Sequence, residues 1–356
     1  HEYDSKEYFE MLREKGYPQD LLSHAAIHKP NVPAEGPGDH LPIRYPAHYT
    51  EEDSECRFIT NTAIDYILDN KVEGWMLSLN YIKPHPPRIC SAPYNDMYDP
   101  DEMPEPNRLE TELHSDHPYL KIIHRKPELE SNCDLRETQA NYFGMITEVD
   151  NCLGILFKAL RDSGQWDNTL IVFSADHGEY LGDHYLTGKG VFYDESMRVP
   201  LIIRDPSAEA DHTRGSKLEA FVESIDIAPT ILEYLNLPIP GRFQGTSLLG
   251  QVQGSNQTSP RSEIHYEKDF RNATRDRHPH QCLLWVIRDD NYKYVQFAGE
   301  AIPPLLYDLT SDPGEQRNVA DDPDERDTIL TYCQKLLRWR MINEDQRMED
   351  WAFQYR

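Results

Sequence analysis

The chain has 356 residues, with 36 Lys and Arg against 62 Asp and Glu, for a net charge of −26 with histidine neutral. That length buries a sizeable core and suits two domains, or one large domain with an appendage. The acid surplus argues against a nucleic acid or an anionic membrane as partner, and makes any cationic pocket a local exception to the global field.

No apolar run approaches the length of a membrane-spanning helix, and no signal peptide opens the chain, which starts at His1 and not at a methionine. A cytoplasmic location is expected, or a periplasmic or secreted one should a leader precede His1. The six cysteines (Cys56, Cys90, Cys133, Cys152, Cys282, Cys333) are scattered without a C-x-x-C pair, and read as reduced thiols. Asn256-Gln257-Thr258 and Asn272-Ala273-Thr274 fit the glycosylation acceptor pattern; chance explains them in a chain without secretory signals.

Residues 1–52 are rich in Pro, His and charge, with one helix-like segment at 8–15, and read as a long irregular excursion. Residues 54–70 carry a helical pattern with Phe58, Ile59, Ala63, Ile64, Ile67 and Leu68 on one side. Trp75-Met76-Leu77-Ser78-Leu79 predicts a buried strand, ending in Lys83-Pro84-His85-Pro86-Pro87. The prolines stop the strand and hold His85 on a stiff loop. Lys83 is left outside the candidate site.

The proline-rich stretch 90–133 reads as a long loop insertion. The clearest helix spans 134–163, with Tyr142, Ile146, Val149, Leu153, Leu156 and Leu160 at helical spacing and Gly164 as a stop. It feeds the apolar run Leu170-Ile171-Val172-Phe173, expected to be a buried parallel strand. Chemistry in an open α/β sheet collects at the carboxyl ends of strands, and Asp176 and His177 sit there. A carboxylate oxygen and an imidazole nitrogen can share one divalent cation, while Gly178 lets the backbone turn away. Downstream, Lys189 lies between Gly188 and Gly190, a mobile point charge on a chain that can approach an anion closely. Metal pair and lysine together suggest catalysis on a tetrahedral oxyanion.

Residues 199–203 read as a further strand, with Pro200 favouring its start or an edge. Within 221–235, Asp226 reads as a cap and packing residue ahead of a helix starting near Pro229. From about 251 the pattern changes: strand-like runs at 283–287 and 292–297 flank the turn-forming Arg288-Asp289-Asp290-Asn291, another strand is expected at 305–309, and an amphipathic helix at 324–342. This divides the chain at about residue 250, into an α/β portion (1–250) and a smaller C-terminal α+β subdomain (251–356) of antiparallel strands and a final helix. The aromatic tail Trp351-Ala352-Phe353-Gln354-Tyr355 suggests docking on a second copy of the chain.

The stretch 169–200, with its Asp-His-Gly and its Gly-Lys-Gly, resembles the second metal-binding segment of the sulfatase family, within the alkaline phosphatase superfamily. It is most similar to the branch of phosphonate monoester hydrolases and related arylsulfatases. The likeness runs through nearly the whole chain, including 241–249 and Leu306-Tyr307-Asp308-Leu309 with Asp312-Pro313-Gly314-Glu315.

The resemblance implies an alkaline-phosphatase-like α/β fold, with a mostly parallel sheet flanked by helices, acting on small sulfate or phosphonate/phosphate monoesters. It implies one divalent cation (calcium, manganese or magnesium) held in part by Asp176 and His177. Lys189 would neutralise the substrate's oxygens and His85 would contact them or the leaving group. The nucleophile would be a formylglycine, made from a cysteine in a Cys/Ser-x-Pro/Ala-x-Arg motif.

No cysteine here fits that motif. Cys90-Ser91-Ala92-Pro93-Tyr94 comes nearest, with Tyr94 where arginine belongs. Two ligands also fall short of the six to eight about calcium or about four around zinc. The chain is therefore expected to match the later part of a family member, roughly 150 residues short, and to lack turnover alone. A two-zinc phosphodiesterase or phosphatase of the same superfamily, and a non-catalytic binding module on the same scaffold, are the alternatives.

Overall fold

The structure, a computed structural model, describes residues 5–33, 42–69, 74–124, 132–255, 261–271 and 281–343. Along the chain it has helices α1 (Lys6–Glu14), α2 (His24–Ile27), α3 (Glu55–Asp69), α4 (Pro118–Ile123) and α5 (Asn132–Asp162), strand β1 (Ile171–Ser174), helix α6 (Asp194–Met197) and strand β2 (Leu201–Arg204). Helices α7 (Ile227–Tyr234) and α8 (Leu249–Val252) follow, then strands β3 (Ile264–Asp269), β4 (Leu283–Arg288), β5 (Tyr292–Phe297) and β6 (Leu305–Asp308), and helix α9 (Arg326–Asn343). The chain forms two compact units, one from 1–105 with 129–169, the other from 106–128 with 170–356. No helix among the described residues is long and apolar enough to cross a membrane.

In the first unit, α3 buries Cys56, Thr60, Ala63 and Ile67, a stripe repeating every three or four residues, as helical geometry requires of one face. Helix α1 buries Tyr8 and Leu12 against Ile27, Ala47, Tyr49 and Ile89, so the described part of the N-terminal stretch holds more order than its composition suggests. The long α5 matches the expected helix closely. The strand expected at 75–79 is instead an extended segment with no ladder partner among the described residues. Residues 75, 77 and 79 are half-buried and 74, 76, 78 and 80 exposed, so the period of a strand is present without the pairing that defines one. Trp75 Nε1 pins it by donating to Gln165 Oε1 at 2.8 Å.

In the second unit, β1 and β2 pair antiparallel, with Ile171 opposite Arg204 and Ser174 opposite Leu201. This corrects the parallel, fully buried strand expected at 170–173: every residue of β1 is half-buried, and its described partner runs the other way. The other sheet is antiparallel in the order β3-β4-β5-β6. Its β4–β5 turn is tied by Asp289 Oδ1, which accepts the Asn291 and Tyr292 amides at 3.0 and 3.1 Å.

Alternation along β4 sends Leu284 and Val286 into one core with Val295, Leu305 and Tyr307. Ile287 goes to the other face, with Tyr294 and Leu306, under Tyr332 and Leu336 of α9. Cover on both faces explains why these strands read as continuous apolar runs. Strand β3 escaped the sequence reading because Glu267, Lys268 and Asp269 give it a polar second half.

Asp226 is fully buried, and accepts from the Glu223 and Thr246 amides at 2.8 and 2.7 Å and from both terminal nitrogens of Arg261. It stands at the N-cap position of α7 as expected, but its side chain makes no cap bond to that helix and is spent on the preceding turn, Thr246 and a buried ion pair with Arg261. The glycosylation patterns and the aromatic tail lie outside the described residues.

Candidate active site

Two residues beyond β1, the chain presents Asp176 and His177. His177 Nδ1 stands 2.7 Å from the carbonyl oxygen of Gly178. A carbonyl can only accept, so Nδ1 carries the proton and Nε2 keeps its lone pair whenever the ring is neutral. That Nε2 lies 3.5 Å from Asp176 Oδ2, while Asp176 Oδ1 takes the His177 amide at 3.0 Å. The Asp176 side chain is 85% exposed. One carboxylate oxygen and one unprotonated nitrogen therefore face the same point at a separation that suits two ligands of one divalent cation, with the imidazole oriented through its other nitrogen as metal-bound histidines are. The donors fit part of a coordination shell. Among the described residues no third His, Cys, Asp or Glu closes on this pair within 4.8 Å.

Gly178 has a different role from the one expected. Its φ is not positive; a Cβ there would strike the backbone carbonyl of Glu195, so glycine is required by close approach and not by a turn. The Gly178 amide donates to the Ser196 carbonyl at 2.8 Å.

The loop then folds back. Tyr180 N bonds Gly188 O at 3.1 Å, and the Glu179 carboxylate takes the amides of Leu181 and Gly188. Gly188 and Gly190 have φ of 75° and 96°, a region that disfavours any side chain, and Gly190 N donates to Ser196 Oγ at 3.0 Å. Buried Ser196 thus clamps both ends of the loop, its carbonyl on Gly178 and its hydroxyl on Gly190. Lys189 is carried on a bonded turn and is not loosely tethered. It is exposed, and it has no ion-pair partner among the described residues.

Ser196 belongs to α6, whose neighbours fix it deep in the second unit. Asp194 Oδ1 takes the fully buried Lys293 Nζ at 2.6 Å, and Lys293 also pairs with Glu315. Glu195 Oε2 stands 3.4 Å from Nε2 of buried His184, whose Nδ1 is 2.6 Å from Glu112 Oε1. Burial alone would lower the His184 pKa, but the two carboxylates outweigh it and hold it up at about 9. Tyr193 stacks on this imidazolium, with ring centroids 3.7 Å apart.

Sequence reasoning missed two residues. Ser196 gives no signal, because its role depends on a fold-back. Lys268, in β3, brings its ammonium to the place a Gly190 side chain would need, and burial lowers its pKa. It lies on a strand far along the chain from Lys189, and no local pattern links the two.

His85 belongs to the first unit and is described with it. Its amide closes a turn onto Ile82 O at 2.9 Å, and its Nδ1 stands 2.6 Å from Pro86 O, which again leaves Nε2 as the free ring nitrogen of an exposed imidazole. The loop is anchored by Lys83, whose Nζ meets the fully buried Glu148 Oε2 at 2.5 Å and lies 5.2 Å over the Tyr49 ring. Burial works against the Lys83 charge, yet Tyr49 and Glu148 hold its pKa above the usual lysine range. Lys83 thus holds the loop through a buried ion pair. Cys90, nearest to the nucleophile motif, is a buried thiol with its pKa pushed up to about 12 by burial.

Comparison with known proteins bears on the same residues. The sulfatase family profile matches residues 6–237, and that of the N-sulphoglucosamine sulphohydrolase C-terminal region matches 182–342. The chain is 40% identical over 325 residues to the multifunctional alkaline phosphatase superfamily protein PehA of Trinickia caryophylli, covering 85% of this chain and 62% of that one. An arylsulfatase of Clostridium perfringens is 29% identical over 304 residues, covering 83% of this chain and 59% of its own length. The phosphonate monoester hydrolase of Silicibacter pomeroyi superposes with a TM-score of 0.85 at 33% identity, over 97% of this chain and 70% of that one. That of Agrobacterium radiobacter gives 0.86 at 33% identity, over 96% and 70%.

These are α/β proteins, and the chain shares their fold. It spans about three-fifths of the curated relatives it matches. With a profile running from α1 through the Asp176–His177 loop to the end of α7, the chain belongs to the sulfatase family.

Proposed function

We propose that this chain contributes to a metal-dependent hydrolase of sulfate or phosphonate monoesters, with Asp176 and His177 as two of the metal's ligands. The observation that carries this reading is the fixed tautomer of His177: Nδ1 is spent on the Gly178 carbonyl, and Nε2 is left beside the Asp176 carboxylate. A divalent cation bound there would polarise the attacking oxygen and offset negative charge on the ester. Lys189, exposed on its bonded turn, neutralises the oxygens of a tetrahedral anion, and Lys268 strengthens the positive potential near Gly190. His85, with Nε2 free, hydrogen-bonds the ester or protonates the leaving oxygen when its ring is charged. The further metal ligands and the formylglycine nucleophile would come from outside these residues. Solved structures named as phosphonate monoester hydrolases and a sequence relative named as an arylsulfatase support either ester class.

The test is hydrolysis of 4-nitrophenyl sulfate and of a 4-nitrophenyl phosphonate monoester by the whole gene product, unaltered and with Lys189→Ala or Asp176→Ala. Asp176→Ala is expected to lower kcat/KM on the preferred ester at least about a thousandfold, and Lys189→Ala about a hundredfold, the scale of losing one charge-stabilising group. Unchanged turnover in Asp176→Ala would refute the assignment. A two-zinc relative would hold two zinc ions per chain at this centre in place of one cation.

A further inference from the structure

Helix α2 and its C-cap residue set His24 and His28 about one turn apart, the i, i+4 spacing at which two imidazoles can reach a single ion. Their rings lie 12° from parallel, with centroids 5.7 Å apart. Glu55, the first residue of α3, brings Oε2 to 3.8 Å from His28 Nε2. One ligand atom of each residue lies within 4.8 Å of those of the other two. Four-coordinate zinc with bonds of about 2.0–2.2 Å has its ligand atoms roughly 3.4 Å apart, so small side-chain rotations close the set.

Among the described residues no cation hydrogen-bonds the Glu55 carboxylate, on which His24 and Lys83 act only through space. The His28 side chain is 17% exposed and the Glu55 side chain 14%. The separation of His28 from Glu55 is too long for a hydrogen bond. Lys83, the nearby cation, is already bound to Glu148. His24 is held by Ser5 Oγ, 2.9 Å from its Nε2. A largely buried carboxylate facing two imidazoles, with no cation hydrogen-bonded to it among the described residues, is a group that a metal ion would complete.

We propose that His24, His28 and Glu55 bind one zinc ion. Two nitrogens and one carboxylate oxygen favour zinc over calcium or magnesium, which take oxygen shells. The ion would clip α2 to the first turn of α3, two elements that the chain joins only through a long connection, with a fourth position open to water. It shares no ligand with Asp176 and His177.

The experiment strips the whole protein with a chelator and titrates it with zinc and, separately, with cobalt(II). A background carrying Asp176→Ala and His177→Ala removes the other candidate cation. That background should take up one zinc per chain, with cobalt giving the visible absorption of a low-coordinate nitrogen–oxygen site. His28→Ala should abolish uptake, and Glu55→Gln should weaken it at least tenfold, with circular dichroism reporting the fold. If His28→Ala fails to fold, His24→Gln takes its place and should also lose the bound zinc. No zinc in the background protein, or undiminished zinc affinity in a folded His28→Ala, His24→Gln or Glu55→Gln variant, would overturn the proposal.

Discussion

His177 owes its usable nitrogen to its neighbour's carbonyl, and that carbonyl owes its place to a missing side chain. Gly178 lies so close to the Glu195 backbone that a single added carbon collides with it. Gly178→Ala should therefore cost about 1–3 kcal/mol of stability, the scale of overpacking a tight site, and move the imidazole off its bond to Gly178 O. Thermal denaturation measures the first effect and the histidine's nitrogen chemical shifts the second; an alanine variant with unaltered melting and unaltered shifts would contradict the reason given for the glycine. Asp176, His177 and Lys189 could be picked from the sequence because their spacing after an apolar run is local. The reason for Gly178 could not, since its obstacle comes from Glu195, on a later helix. Lys83 is a like case: its partner Glu148 lies far along the chain, so no local pattern announces the buried ion pair.

Among the elements, α6 is a single turn, yet it holds the site loop from behind. Ser196 bonds both Gly178 and Gly190, while Asp194 and Glu195 face the buried cations of Lys293 and His184. His184 gives this support a pH dependence with a definite sign. Its folded pKa of about 9 lies above the ordinary 6.5, so its contribution is complete below 6.5 and is lost as pH rises through about 9. A difference of that size is worth about 3 kcal/mol. The unaltered protein should lose stability between pH 7 and 10 more steeply than His184→Gln, which chemical denaturation across that range would measure; parallel curves would mean that the imidazolium contributes nothing.

Helices α3, α5 and α9 and strands β4–β6 were legible, because 3.6-residue and 2-residue periods are properties of contiguous sequence. Pairing direction was legible for β4–β6, where a short turn joins two of the strands, but not for β1. An apolar run such as that at 170–173 reports burial and is silent on which strand lies beside it, so the antiparallel β1–β2 pair went unforeseen. The segment 74–80 likewise shows that alternation can persist without a ladder.

For the whole molecule, a net charge of −26 means that the anionic ester proposed as substrate would approach against the global field, and the exposed Lys189 with Lys268 near Gly190 would supply the local exception. The chain spans 62% of the length of PehA. The central claim, that Asp176 and His177 hold a catalytic cation, is tested most directly by elemental analysis of the native gene product purified from its own host, beside an Asp176→Ala/His177→Ala variant prepared the same way. The account predicts one divalent cation per chain that the variant lacks, with any zinc at His24, His28 and Glu55 retained in both. An identical metal complement in the two proteins would contradict it.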